Sequence, residues 1–226
     1  MRISLLILLS QITFAFNLTP LSQSIVIGKN SETVIYQVEN KNKEAMAIEI
    51  SLADRDMGTD GKEKRPEVKD GKFLLYPTQL ILKPGQKRGI KVKWLGGDIK
   101  KENAFRIIVE QLPIDFKKDK SSGIKLLLKY LGALYVTKTE FSPSISTKVT
   151  SVDGDMVKIQ ISNAGTKHQV LKNLKLIFGN DKNSLSFKGK DLKGIDGENI
   201  LAGKKRNFSF KAIGVNKGMG VKAIYE

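Results

Sequence analysis

Hydrophobic and polar residues alternate with a period of two through much of the chain, most plainly near its middle. Ile90, Val92 and Trp94 alternate with Lys91 and Lys93. Phe105, Ile107 and Val109 then alternate with Arg106, Ile108 and Glu110, ending at Leu112 and Pro113. This spacing sends successive side chains to opposite faces, as in half-buried strands. Pro84 and Gly85 predict the turn that precedes them, because proline presets a negative φ and glycine accepts a positive one. Further strands are predicted over residues 24–27, 33–38, 47–52, 74–76, 80–82 and 123–137, with Ile48, Ile50 and Leu52 on one face of the third. Turns fall at 28–30 and 40–43. Residues 54–71 read as a long, charged, mobile excursion, and 114–123 as a polar flexible segment. This pattern predicts an immunoglobulin-like β-sandwich.

The second half repeats the theme. Phe141, Ser142 and Pro143 interrupt the alternation and mark a hinge, after which strands restart at Ile145. Val152 to Asp155 carries an Asp-Gly hairpin signal. Val157, Ile159 and Ile161 alternate with Lys158 and Gln160. Leu174, Leu176 and Phe178 form a further strand, and Phe208 and Phe210 alternate in a later one. No long amphipathic helical stretch is present. The predicted fold class is all-β, with domains over residues 17–139 and 140–226.

The wording of these segments adds to their pattern. The L-x-P-G turn at Leu82 to Gly85, the basic alternating strand after it and R-x-x-x-E-Q-L-P from Arg106 to Pro113 resemble the first domain of periplasmic pilus (fimbrial) assembly chaperones. Asn163, Gly165 and His168, followed by Leu174, resemble a segment common in the second domain of that family, and Leu201 to Arg206 with Phe208 resembles its later turn and strand. Asn163 and Gly165 are equally accounted for as ordinary turn residues. The resemblance implies two immunoglobulin-like β-sandwich domains in an L-shaped arrangement. It also implies a chaperone that stabilises pilus or fibre subunits by donor-strand complementation, without a nucleotide or other cofactor, and hands them to an outer-membrane usher. Weak self-association that caps the donor edge is a further implied partner.

By the same resemblance, the subunit-binding donor residues are Ile124, Leu126 and Leu128, with Lys125, Leu127 and Lys129 on the other face. The physical logic is that a donated strand supplies main-chain hydrogen bonds while its side chains fill a groove. Burying each such side chain is worth roughly 1.5–3 kcal/mol. Read from its residues alone, the same strand reads first as a core strand of its own sandwich. The family's basic residues for holding a subunit's terminal carboxylate align with Gln23 or Ser24 and with Gly132 or Ala133, none of them basic. Lys29, Lys125 and Lys129 are the nearby cations in sequence.

Composition narrows the compartment and the chemistry. Arg2, the apolar run from Ile3 to Leu9, and Thr13 to Ala15 read as a secretory signal peptide over residues 1–15, which implies a periplasmic location. The run is too short to span a bilayer, which takes roughly 20 residues, and Lys125 and Lys129 interrupt the later apolar stretch. The absence of cysteine excludes a disulfide scaffold and thiolate metal sites. The net charge of +16 falls mainly on the polar positions of alternating strands and on loops. That distribution reads as a solvated face able to steer acidic partners, not as a nucleic-acid footprint. Asp54, Asp56, Asp60 and Glu63 lack the glycine placement and helical flanks of an EF-hand loop. His168 is the only histidine and has no nucleophile motif beside it. The expectation is a non-enzyme with no catalytic or metal residues. The alternative is an exported structural or adhesive immunoglobulin-like protein without a client.

Overall fold

The computed structural model describes residues 16–28, 32–68, 71–114, 127–180 and 183–226. The first half contains β1 (Phe16–Thr19), β2 (Ser22–Val26), β3 (Thr33–Asn40), β4 (Met46–Asp54), β5 (Asp56–Met57), β6 (Glu63–Lys64), β7 (Phe73–Tyr76), β8 (Gln79–Leu82), β9 (Lys87–Trp94), β10 (Asn103–Gln111) and β11 (Lys129–Thr137). Two sheets face each other, ordered β1-β3-β9-β7 and β2-β11-β10-β4-β8. The chain passes between them at Pro20 and at Pro77, so β1–β2 and β7–β8 each belong to both layers. The Pro84–Gly85 turn makes a third crossing, with Gly85 at φ 69° and Gln86 N–H donating to Lys83 O.

Alternation becomes layering here. Ile90, Val92 and Trp94 are buried while Lys91 and Lys93 are exposed. From the facing sheet, Phe105, Ile107 and Val109 point inward, opposite Leu134, Gly132 and Tyr130 of β11. Phe73, Trp94 and Phe105 meet as tilted and edge-to-face rings at 4.9–6.0 Å, the arrangement that ring quadrupoles favour. Gly132 lies in this layer because a Cβ there would come within 2.7 Å of Ile107.

The second half contains β12 (Ile145–Asp153), β13 (Met156–Asn163), β14 (Gln169–Val170), β15 (Lys175–Asn180), β16 (Asn183–Lys188), β17 (Asn199–Ile200), β18 (Lys205–Lys211) and β19 (Val221–Ile224), with a 3-10 turn at Gly189–Leu192. Its main sheets are β12-β13-β18 and β16-β15-β19, with β14 paired to β17. Val157, Ile159 and Ile161 are fully buried with Leu176, Phe178 and Phe210 in a second core. The hairpin expected at residues 152–155 joins β12 to β13, with Gly154 at φ 54°. The fold is all-β, two immunoglobulin-like sandwiches in sequence.

The charged excursion is not loose. Residues 55–67 form the β5–β6 hairpin, and Ala53 pairs with Glu67 where β4 ends. Two of its acidic residues, Asp56 and Glu63, which in sequence suggest solvation, meet cations supplied by distant strands.

Asn163 has a heavier task than a turn residue. It is buried, and its Oδ1 accepts N–H bonds from Ser144 and Gly165 while its Nδ2 donates to Lys167 O and Ile200 O. Four backbone groups between the hinge and the second core therefore depend on one amide. Unpaired buried groups cost about 1–3 kcal/mol each. Asn163→Ala should lower the stability of the second sandwich by about 3 kcal/mol, read as a lower urea midpoint in far-UV circular dichroism.

Candidate functional site

Strand β11 is paired differently on its two edges. Along one edge it runs antiparallel to β10 from Lys129 to Val136. Along the other it meets β2, in parallel, only from Ala133 to Thr137. Backbone direction alternates along a strand. Leu128 O accepts from Gln111 of the β10 side, whereas Ala133 N–H donates to Leu21 O on the opposite side. Leu127, Lys129 and Leu131 share the parity of Ala133, so their backbone groups face the edge that no described strand covers. Around that edge Leu21, Leu127 and Leu131 are 58%, 45% and 36% exposed. Lys129 is tied to Glu110 at 2.6 Å.

The side chains follow the complementary parity. Leu128 and Tyr130 turn inward, half-buried against the first core, and Tyr130 packs edge-to-face on Phe16 while its hydroxyl donates to Phe16 O. Leu128 is thus the one expected donor residue that the structure describes, and it sits at the mouth of its own sandwich. Ile124 and Leu126 lie outside the described residues, as do Lys125 and the signal segment 1–15.

Of the positions aligned with a carboxylate anchor, the two on β11 have no space for one. Gly132 faces the core, as above, and Ala133 is buried against Met57, Tyr135 and Leu201. Gln23 donates to Ile35 O. The fixed cations of this sheet are instead Arg55 and Arg106, which sequence reasoning did not single out. Both close on Glu63 of the hairpin: Arg106 by two bonds of 2.9 and 2.7 Å, Arg55 by one of 2.8 Å. Burial works against the Glu63 carboxylate, but the Arg106 and Arg55 bonds outweigh it and hold its pKa below the ordinary 4.5.

From this cluster the contacts continue into the second sandwich. Arg55 donates to the Tyr135 hydroxyl at 3.0 Å, which also receives the Asn199 amide at 2.8 Å. The Tyr135 ring stacks on His168 at 4.0 Å, and burial raises its phenol pKa, although Arg55 pulls the other way. His168 Nδ1 and its backbone N–H both meet Oε1 of the buried Glu102. The lone histidine therefore joins two cores. Asp56, an acid of the former excursion, pairs with Lys204 at 2.8 Å, and the Lys204 hydrogen bond lowers its pKa. The hydrogen-bonded partners lie between 64 and 148 residues apart, a pairing that no local motif could signal.

Among the described residues, no group of three His, Cys, Asp or Glu side chains could hold a metal ion, and no helix is long and apolar enough to cross a membrane.

No family model matches the chain, and no curated protein sequence matches it. Its fold does match solved structures over nearly its whole length. One is a chain of a chaperone–tip adhesin complex vital for synergistic activation of CFA/I fimbriae biogenesis, at 21% identity, TM-score 0.63, and coverage of 94% of this chain and 95% of that one. A second is the class 5 fimbriae chaperone CfaA, at 18% identity and TM-score 0.62, covering 93% of this chain and 98% of that one. A third is a chain of the CsuC–CsuE chaperone–tip adhesion subunit pre-assembly complex from archaic chaperone–usher Csu pili of Acinetobacter baumannii, at 18% identity, TM-score 0.63 and 93% coverage of both. At these identities the likeness establishes the fold: the two sandwiches are arranged as in fimbrial chaperones.

The arginine pair on Glu63 has a pH signature. A carboxyl with a depressed folded-state pKa contributes stability that is complete above its unfolded value and lost as pH falls through the folded value. Glu63→Gln should lower the urea midpoint by about 2 kcal/mol equivalent at neutral pH. It should also flatten the acid-side loss that the parent shows from about pH 5 downward, measured by Trp94 fluorescence across a pH series.

Proposed function

We propose that this protein is a chaperone for pilus or other surface-fibre subunits and that it acts by donating the strand through Ile124, Leu126 and Leu128 to an incomplete subunit. The observation that carries this reading is the one-sided pairing of β11: before Ala133 its outer edge has no strand partner among the described residues, and exposed leucines flank it. An unpaired, apolar strand edge is a liability in a solitary protein and an asset in one that completes another sheet. The inward parity of Leu128 and Tyr130 extends, for a strand that runs on, to Leu126 and Ile124. Beyond the end of the sandwich those side chains would project from the face that fills a core, which is the need of a subunit lacking a strand.

In this reading residues 1–15 direct export to the periplasm, and residues 17–139 and 140–226 are the two domains. The subunit passes to an outer-membrane usher, and strand exchange rather than a nucleotide drives release. Weak self-association would shield the edge between clients. The likeness to chaperones solved with fimbrial subunits supports this assignment.

One observation favours the second reading, an exported structural or adhesive protein. Leu128 already packs on its own core, as a strand with no client would. The two readings separate in a co-expression experiment. The processed protein is produced with candidate fibre subunits, and complexes are captured from the export compartment. Leu126→Asp should reduce subunit capture tenfold or more, about the factor expected when one buried leucine worth roughly 1.5–3 kcal/mol is lost, while Trp94 fluorescence stays native. Undiminished capture by the folded variant, or unfolding of the variant with no client for the parent, sinks the donor-strand mechanism.

A further inference from the structure

The two sandwiches are attached at two separate places, and the second attachment is the segment whose composition suggested a mobile loop. The first attachment is the covalent linker. Ser142 O accepts N–H bonds from Thr166 and Lys167, Ser144 N–H donates to Asn163, and Gly165 lies so close beneath residues 142–144 that a Cβ would come within 2.4 Å of their backbone. Glu102 and His168 extend this seam, and Tyr135 and Ala133 of β11 widen it against His168, Asn199 and Leu201. The linker at one end of this seam is a place about which the two units can hinge.

The second attachment is the β5–β6 hairpin. Its base is held to the first sandwich by Glu63 between Arg55 and Arg106. Its tip reaches the second: Asn207 N–H donates to Thr59 O at 2.7 Å, adding the tip to the outer edge of β18. Asp56 pairs with Lys204 beside it. The Arg206 guanidinium, only 8% exposed, lies between the two units. It donates to Glu198 of its own sandwich and to Met57 Sδ of the hairpin, both at 3.0 Å, and it packs over Phe208. Gly61 at φ 83° makes this possible, since a Cβ there would fall 2.3 Å from Nη2 of Arg206. A pocket of about 580 Å³ remains between the hairpin and residues 162–164 and 203–205, so on that side the hairpin meets the second sandwich through its tip.

We infer that the hairpin is a latch: it fixes the angle between the sandwiches, which without it swing about the 138–144 linker. The latch ends on the client-edge strand as well. Arg106, which grips Glu63, also reaches Leu131 O at 3.4 Å, and Arg55 holds Tyr135 of the same strand. The angle between the sandwiches is thereby set beside the uncovered edge of β11. The latch operates whether or not the chain is a chaperone.

The chain contains no cysteine, so Lys93→Cys and Lys211→Cys give one spin label on each sandwich, both at exposed sites. Pulsed dipolar spectroscopy on this parent should give a single narrow distance distribution. Two variants release the latch from opposite sides. Gly61→Val drives a side chain into the Arg206 guanidinium. Asn207→Pro removes the N–H that bonds Thr59, at an edge position where no ladder bond to β13 is lost. Each should add a broad population of other distances while Trp94 fluorescence and far-UV circular dichroism remain native. Should either variant misfold, Arg206→Met, which keeps the aliphatic stem and removes the bonds, takes its place. A broad distribution in the parent, or the parent's narrow distribution retained in the folded variants, overturns the latch.

Discussion

The constraint on which the rest of the structure depends is the unequal pairing of β11. Its bond to β10 is continuous, and this aligns Tyr130, Gly132 and Leu134 with Val109, Ile107 and Phe105 in the first core. Its bond to β2 starts only at Ala133, because the chain preceding β2 lies in the other sheet and crosses over at Pro20. One strand therefore serves three surfaces. Its inward residues close a core, its outward residues Ala133 and Tyr135 form the seam with the second sandwich, and among the described residues the first part of its outer edge is left without a strand. A strand has two faces and two edges, and β11 uses each differently.

Electrostatics assists this arrangement without creating it. The chain is strongly basic, and most lysines occupy outward positions where water solvates them. Carboxylates are the scarcer charge, and those of the hairpin sit where they organise structure. Glu63 gathers two guanidinium groups that would otherwise repel on adjacent strands, and Asp56 meets Lys204 across the domain boundary. Exposed pairs such as Lys62 with Asp60 contribute little, because water screens them. Sharing one partly buried carboxylate between two arginines has more effect, since their planar, multi-donor geometry restrains the hairpin in direction as well as position.

Much of the fold was legible in the residues. The alternation of Ile90, Val92 and Trp94 and of Val157, Ile159 and Ile161 gave strands with the correct buried face, and the Pro84–Gly85 and Gly154 turns fell where their chemistry placed them. Residues 54–71 read as a mobile excursion, yet 55–67 form an ordered hairpin, for a physical reason. A run rich in Asp, Glu, Lys and Arg lacks the apolar residues that order a segment by burial, and its ordering partners, Arg106, Tyr135, Lys204 and Arg206, are supplied by strands far along the chain. Asn163 was underrated for the same reason: plausible as a turn residue, it proves to bridge segments that meet only in the folded protein.

What the sequence by itself determined is local. A two-residue period decides which side chains face inward, and proline and glycine decide where the chain turns. Those rules suffice for an all-β chain of two sandwiches, and they give Leu128 the inward parity it shows. They carry no information on which strand edge remains open, since that depends on where β2 begins to pair, nor on which cation meets which carboxylate. Only the tertiary structure decided that Gly132 and Ala133 have no room for a basic side chain, that Arg55 and Arg106 share Glu63, and that a charged loop spans two cores. These are matters of distance between residues remote in sequence, and packing alone settles them.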